Sequence, residues 1–412
     1  MTALKPVIVL RSNDTCALGV VRSLGVAGHD VVLVGFNYEG NPLWTSNESI
    51  YCTEFLEISN PARDPLAATT RLKEIVRAVG ERYGEEPALV ATSDTSIALI
   101  EMLGPLTGLA ITMNSALYSE NEYDLNDKFV QSKVLSKSGF STPGFASLDE
   151  LDEKLDDGRL KLPIIIKPRK KGIQQSFYSR NGGLKGLKYS TRAELMRSDE
   201  LRSHGSELIF QSFVEDGPEP EICAYVSRRE SDGSMLTMSV KKDFVTPRPF
   251  GTASVVSSVA MHNLELEASR LADRLRWNGV LMMEFKFDVI DLKWKCLEVN
   301  FRPWLLVDFP RRHGLNFLSH WLSTNGESGT SIHPHSLAAG LSHISLRYLK
   351  IAFSERGVPF TTSSIVGMIG ALSNPVSIAE WDLADQELSR RNLAQLGLEE
   401  LINHPAIGVL NS

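Results

Sequence analysis

The sequence predicts two fold classes in succession, a doubly wound α/β domain and then an α+β region, and three observations carry that expectation. Apolar β-branched runs alternate with amphipathic helical stretches over roughly the first 115 residues, the pattern of a parallel sheet. From about residue 119 strands and helices segregate. The chain's 412 residues, 42% of them apolar, are enough for two or three domains with ample core.

The elements follow in order. "PVIVLRS" (6–12) is a buried strand, "TCALGVVRSLGVAG" a helix and "HDVVLVGFN" a second strand, which together open a βαβ unit. The turn "RSNDTCALG" has no GxGxxG, so the nicotinamide-dinucleotide fingerprint is absent and a dehydrogenase is disfavoured. "RLKEIVRAVGERYG" is an amphipathic helix, "PALVATSD" a strand and "TSIALIEMLGPL" a helix. Asp124 or Asn126 can cap a helix running to Lys137, which Gly139 ends. Then come "LPIIIKP", a basic glycine-bearing loop, the strands of "ELIFQSFVEDGPEPEICAYVSR" and "MLTMSVKKDFVTPRPFGTASVV", the helix "LELEASRLADRLRW", and the strands "GVLMMEFKFDVI" and "KWKCLEVNF". Beyond residue 325 the chain is helix-prone after a Ser/Gly-rich link.

A net charge of −7 argues against a nucleic-acid protein, which needs clustered cations facing phosphates. The four cysteines, Cys16, Cys52, Cys223 and Cys296, lack metal-site spacing and read as reduced, buried thiols. His333 and His335 decorate a loop. The N-terminal apolar run is too short for a signal peptide or a membrane span, so a cytoplasmic protein without membrane contact is expected.

Several residues could carry chemistry. Glu298, Asn300 and Arg302 stand on alternate positions of "CLEVNFRPW", while Leu297, Val299 and Phe301 are expected to face a core. Glu284 lies on the preceding strand at hairpin distance, with Asp288 a weaker candidate on its face. Two carboxylates and an amide are hard oxygen ligands suited to Mg²⁺ with phosphate oxygens; the competing reading is a solvated sheet face. Lys167, ending an apolar strand, suits a nucleotide phosphate. Arg169, Lys170, Lys171 and Arg180 lie in a loop (169–183) that either closes over phosphates or is a solvated turn. The strand before Asp216-Gly217-Pro218 frees backbone groups for an adenine edge, with Glu219 or Glu221 placed for ribose, unless this is a surface turn. Lys241, Lys242, Arg248 and Arg302 form a second positive set for an anionic substrate, each also readable as a surface charge.

In this order the pieces "NDKFVQSKVLSKSGFSTPGF", "LPIIIKP", "IFQSFVEDGPEPEI" and Glu284 with "LEVNFRP" resemble the ATP-grasp superfamily over most of residues 5–320. "LGVVRSLGVAGHDVVLVG", "ATSDTSIALI" and "PRPFGTAS" look like its predicted carboxylate-amine ligases, which include D-aspartate ligases and natural-product biosynthetic ligases. The resemblance implies a Rossmann-like pre-ATP-grasp domain (1–118), an ATP-grasp domain (119–325) with a small lid subdomain at about 160–215 beside a larger antiparallel-sheet subdomain, and a helical C-terminal extension (326–412). It implies phosphate contacts from Lys128 and Lys167, and adenine held at Gln211, Ser212, Phe213 and Val214. Ribose falls to Glu221, metal to Glu284, Glu298 and Asn300. Arg248, Arg302 and Lys242 would act on the substrate carboxylate and the developing oxyanion. ATP and Mg²⁺ are the implied cofactors, Mn²⁺ an alternative to the latter. The implied reaction activates a carboxylate as an acyl phosphate and passes it to an amine, releasing ADP and phosphate; a second copy of the chain is a candidate partner. A bicarbonate-using carboxylase or carbamoyl-type ligase, or a nucleotide-binding protein with degenerate catalysis, are the alternatives. The sequence departs from the family's pattern in a long, basic, aromatic phosphate loop and in "NFRPW" where "NPRP" is common.

Overall fold

The computed structural model describes residues 4–37, 45–103, 125–170, 174–182, 184–215, 217–246, 251–323, 339–372 and 375–403. Strands β1 (Val7–Arg11), β2 (Val31–Phe36), β3 (Glu54–Ile58) and β4 (Ala88–Ala91) form a parallel sheet in the order β3-β2-β1-β4. The β1 and β2 residues are buried on both faces, as a parallel sheet under helices requires. Helix Asp14–Val26 starts where the Asn13 side chain accepts the Cys16 N–H at 3.0 Å. Helix Pro65–Tyr83 is capped by Asp64, with proline in its first turn, and stops at Gly84, whose φ of 66° suits glycine. Because β1 neighbours both β2 and β4, the strand order reverses there, and the turns after β1 and β4 face each other at the sheet's carboxyl edge.

A second sheet holds β5 (Phe145–Ala146), β6 (Ile164–Pro168), β7 (Leu187–Tyr189) and β8 (Leu208–Ser212), ordered β5-β8-β6-β7 and antiparallel. Its small core gathers Ile164, Ile166, Phe177, Leu195 and Phe210. The third sheet holds β9 (Ile222–Arg228), β10 (Met235–Thr246), β11 (Thr252–Val259), β12 (Gly279–Asp288), β13 (Lys293–Asn300), β14 (Ser342–Ile344) and β15 (Val376–Ile378). Its order is β13-β12-β9-β10-β11-β14-β15. The segment after residue 325 is therefore more than helical: it adds β14 antiparallel to β11, and β15 parallel to β14. Three-residue strands are too short to leave an alternation in the sequence.

Alternation splits the large sheet into two faces. Ala224, Leu281 and Met283 meet the stripe Leu264, Ala268 and Leu271 of helix His262–Arg274. Tyr225, Met238, Val256 and Met282 pack on the other side against Val20 and Leu24 of the first domain and against Trp304, Phe309 and Phe317. One continuous core thus fixes the first domain over the sheet, each buried Leu or Val contributing about 1.5–3 kcal/mol. Among the described residues no helix is long and apolar enough to cross a membrane.

Candidate functional site

The sheet face that meets the first domain carries the charged residues at one end. Glu284 pairs directly with Glu298, and Met282 with Asn300, so both carboxylates and the amide share one face of neighbouring strands. The register slips between Glu284 and Phe285, which pairs with Cys296. Leu297 is the extra residue of this bulge. Two consecutive side chains consequently reach the same side: Leu297 lines the cavity beside Glu298, contrary to its expected place in the core, while Val299 and Phe301 are buried against the helix face. Asp288 ends β12 at the hairpin, where it accepts the Ile290 N–H at 2.9 Å, and does not line the cavity.

Lys128 and Lys167 arrive from different segments, and one aspartate holds those segments together. Asp127, rather than Asp124 or Asn126, caps helix Lys128–Lys137, accepting the Phe129 N–H at 2.8 Å; Asp124 lies outside the described residues. The same carboxylate takes Arg169 in an ion pair at 2.7 Å, and the Lys128 N–H donates to the Arg169 carbonyl at 2.9 Å. The residue after β6 is thereby pinned beside the helix start. The Lys128 Nζ donates to Glu298 at 3.1 Å, and the Lys167 Nζ to Gln211 Oε1 at 3.2 Å. Burial would lower the Lys128 ammonium, but the Glu298 charge outweighs it and the net shift is upward. Lys167 lacks so close a carboxylate: burial, aided by Lys128, depresses it to about 8.

These residues line one cavity of about 330 Å³ together with Gln211, Ser212, Phe213 and Val214. The Phe213 N–H donates to the Pro163 carbonyl at 2.8 Å, and its ring is flanked by the Lys188 and Lys286 ammonium groups, 4.0 and 5.1 Å from its centre. Glu221 lines the cavity, whereas Glu219 is exposed. Lys242 lies between Glu221 and Glu284, at 2.7 Å from the latter. Burial would raise the Glu221 carboxyl, and the Lys242 charge overcomes this to hold it below the usual range. Its neighbour Lys241 turns to the surface and pairs with Asp243 at 3.0 Å. Arg302 reaches across to the first domain and pairs with Asp94 at 2.7 Å, shortly after β4. Arg248 lies outside the described residues, as do Lys171, His333 and His335.

The basic segment 169–183 departs from a simple loop. Residues Gln174–Arg180 form a helix, Arg180 pairs with Glu200 at 2.9 Å, and Arg169 is committed to Asp127. Neither arginine lines the cavity. Tyr178 and Lys185 do. Lys185 donates to Thr252 at 2.6 Å, and burial lowers its ammonium. A Cβ on the adjacent Gly186 would lie 2.8 Å from the Ile165 side chain and 3.1 Å from the Ile166 carbonyl, so glycine lets the chain run close against β6 beside this lysine. Glycines flanking a lysine were the available signal for Lys185; Tyr178, Asp94 and Tyr348 had none of comparable strength. Cys16, Cys223 and Cys296 are buried, and burial raises all three thiols, Cys16 up to about 12, so none is a thiolate at neutral pH. Cys52, expected to be buried, is partly exposed.

The donor set suits a hard cation that also binds phosphate. Among the described residues no group of three or more His, Cys, Asp and Glu could hold a metal alone, so two carboxylates and an amide leave positions for nucleotide oxygens and water.

No family model matches the sequence, and no curated protein does so. Solved structures do match. N5-carboxyaminoimidazole ribonucleotide synthetase from Thermotoga maritima shares 15% identity at a TM-score of 0.52, over 77% of this chain and 75% of that one. Biotin carboxylase from Campylobacter jejuni, solved with a β,γ-ATP analogue, shares 16% identity at a TM-score of 0.56, over 76% of this chain and 69% of that one. The corresponding synthetase from Thermus thermophilus shares 15% at 0.52, over 72% and 71%. At such identities the likeness is one of architecture, and with a parallel-sheet domain, a small antiparallel sheet and a large, mostly antiparallel sheet the chain has the ATP-grasp fold.

Proposed function

We propose that the protein is an ATP-dependent, ADP-forming ligase that joins a carboxylate to an amine through an acyl phosphate. The observation that carries this reading is a single cavity shared by Glu284, Glu298, Asn300, Lys128, Lys167 and Arg302, with the 211–214 segment at its rim. Glu284, Glu298 and Asn300 hold Mg²⁺, with Mn²⁺ as a substitute; the bound ion supplies charge neutralisation on the phosphates. Lys128 and Lys167 bind phosphate oxygens, and Lys185 reaches the same region from the lid. The 211–214 segment and the bulged Leu297 take adenine, and Glu221, kept ionised by Lys242, takes ribose hydroxyls.

Arg302, steadied by Asp94, orients the substrate carboxylate. One carboxylate oxygen attacks the γ-phosphorus, the new C–O–P linkage forms, and the bond from the γ-phosphorus to the bridging oxygen breaks to release ADP. The amine nitrogen then adds to the acyl carbon, and cationic groups such as Arg302, with Arg248 a further candidate, stabilise the oxyanion. Collapse expels phosphate, which can carry off the amine proton. Tyr178, whose hydroxyl burial keeps protonated with its pKa pushed up to about 12, closes the lid side and keeps water from the acyl phosphate. Lys242 is occupied by Glu221 and Glu284, so its part is to set those carboxylates rather than to meet substrate.

The carboxylase reading draws on the carboxylation chemistry in the names of the T. maritima synthetase and the C. jejuni carboxylase. Bicarbonate would serve as the carboxylate there. The test is ADP release over mixtures of carboxylic acids and amines, with and without bicarbonate, with product masses recorded. The ligase reading expects release that needs both an organic acid and a nucleophile; release that needs bicarbonate instead selects the carboxylase.

A further inference from the structure

Resting on the ligase reading, the chemistry of the cavity walls narrows the substrate class. The strand register orders the floor in rungs: Glu298, Glu284, Cys223 and Val240 form one, and Asn300, Met282, Tyr225 and Met238 the next. Moving one rung along the same face, carboxylates give way to a thioether and an aromatic ring. Beyond that rung Trp304 packs on Tyr225 with ring centres 4.0 Å apart, and Leu305 and Leu306 continue the wall. The wall is completed by Cys16 of the first domain, whose thiol is directed at the Trp304 carbonyl at 3.3 Å, and by Tyr348. Tyr348 comes from the segment after residue 325, and its hydroxyl accepts a 2.7 Å hydrogen bond from Asn13. Arg347 beside it anchors their helix, Leu346–Glu355, donating to Thr45 and Asn392 at 2.8 Å each.

The cations are distributed unevenly. Lys128, Lys167, Lys185 and Lys242 all belong to the phosphate end. At the apolar end Arg302 is the one cation lining the cavity among the described residues, and Asp94 pairs with it. A substrate carboxylate can share Arg302, but among the described residues a second anionic group placed between Trp304, Leu305 and Met282 would meet no cation. Burying an unpaired charge is far more costly than burying a methyl or phenyl group.

We infer that the acid activated by this protein carries an apolar body, branched aliphatic or aromatic, and no second carboxylate, and that the apolar body lodges in the chamber formed by Met282, Tyr225, Trp304, Leu305, Leu306 and Tyr348. A leucine-like or phenylpropanoate-like substrate is thereby favoured over an aspartate-like one. The C-terminal segment also gains a role, since it supplies one wall of the chamber.

Binding separates this inference from the reaction itself. With the full chain held at saturating Mg·ADP, calorimetry compares 4-methylpentanoate and 3-phenylpropanoate with succinate and glutarate, and leucine and phenylalanine with aspartate and glutamate. The apolar acids are expected to bind tighter by about tenfold to a hundredfold. In Leu305→Arg, a partly exposed wall position where a guanidinium can be accommodated, the preference moves toward the dicarboxylates; Leu305→Asn, a smaller change, weakens the apolar acids alone. Equal or tighter binding of the dicarboxylates to the wild-type protein, or no binding of any acid, overturns the assignment. Tight binding of the apolar acids without ADP release from ATP under any nucleophile upholds the chamber and removes the ligase reading.

Discussion

The floor and the roof of the cavity position charge by different means. On the floor, Glu284, Glu298 and Asn300 stand on paired strands of a sheet whose two faces are both packed, so register alone sets their separation. In the roof, Lys167 lies on a small sheet with a core of its own, and Tyr178 and Lys185 on the segment between its strands; among the described residues Lys185 with Thr252, and Phe213 between Lys188 and Lys286, tie this part to the floor. Rigid strands suit groups proposed to hold an ion, and a sheet with its own core suits groups proposed to admit a nucleotide and then exclude water.

The largest effect should come from the floor. Glu298→Ala removes a proposed ion ligand and leaves Lys128 without its carboxylate, and ADP formation is expected to fall by about a thousandfold with the far-ultraviolet circular dichroism unchanged. Near-normal turnover in that variant would mean that the floor is scaffold only. Lys167→Ala, in the roof, should cost about a hundredfold, mostly in nucleotide affinity.

A pH series sharpens the contrast. Lys167 is depressed to about 8, so it is charged below that pH and neutral above it. A nucleotide that requires the ammonium must bring a proton with it above pH 8, and affinity should fall as pH rises, approaching tenfold per unit. Lys167→Arg should flatten the profile, because a guanidinium stays charged. A wild-type profile already flat from about pH 7 to 9.5 would put phosphate binding elsewhere. The smallest effect belongs to the tether. Asp127→Ala loses a helix cap and the Arg169 partner, for about 1–2 kcal/mol of stability by denaturant unfolding, and nucleotide affinity should weaken only severalfold.

The two regions also differ in how legible they are in the sequence. Floor residues can be read because strands have a fixed period of two and because Glu284 and Glu298 lie one hairpin apart. The misses there, Leu297 and Asp288, lie at and beyond a register slip, which changes facing without changing composition. The roof obeys no such period. Arg169 and Arg180 look like phosphate ligands in the sequence, yet each is taken by an acid, Asp127 and Glu200, that lies 42 and 20 residues away. Tyr178 is brought to the site by a seven-residue helix too short to be recognised. The first domain is readable from its apolar runs, whereas its contribution to the site, Asp94 against Arg302, depends on a contact across 208 residues that no local pattern encodes.

The central claim is that Glu284 and Glu298 hold a divalent ion on a nucleotide's phosphates. It is tested most directly by titrating ATP into wild-type protein and into the Glu284→Gln/Glu298→Gln double variant, with and without Mg²⁺. The wild-type protein should bind tightly only with Mg²⁺, and the folded double variant should lose that dependence. Equal Mg²⁺-dependent affinity in the two proteins would contradict it.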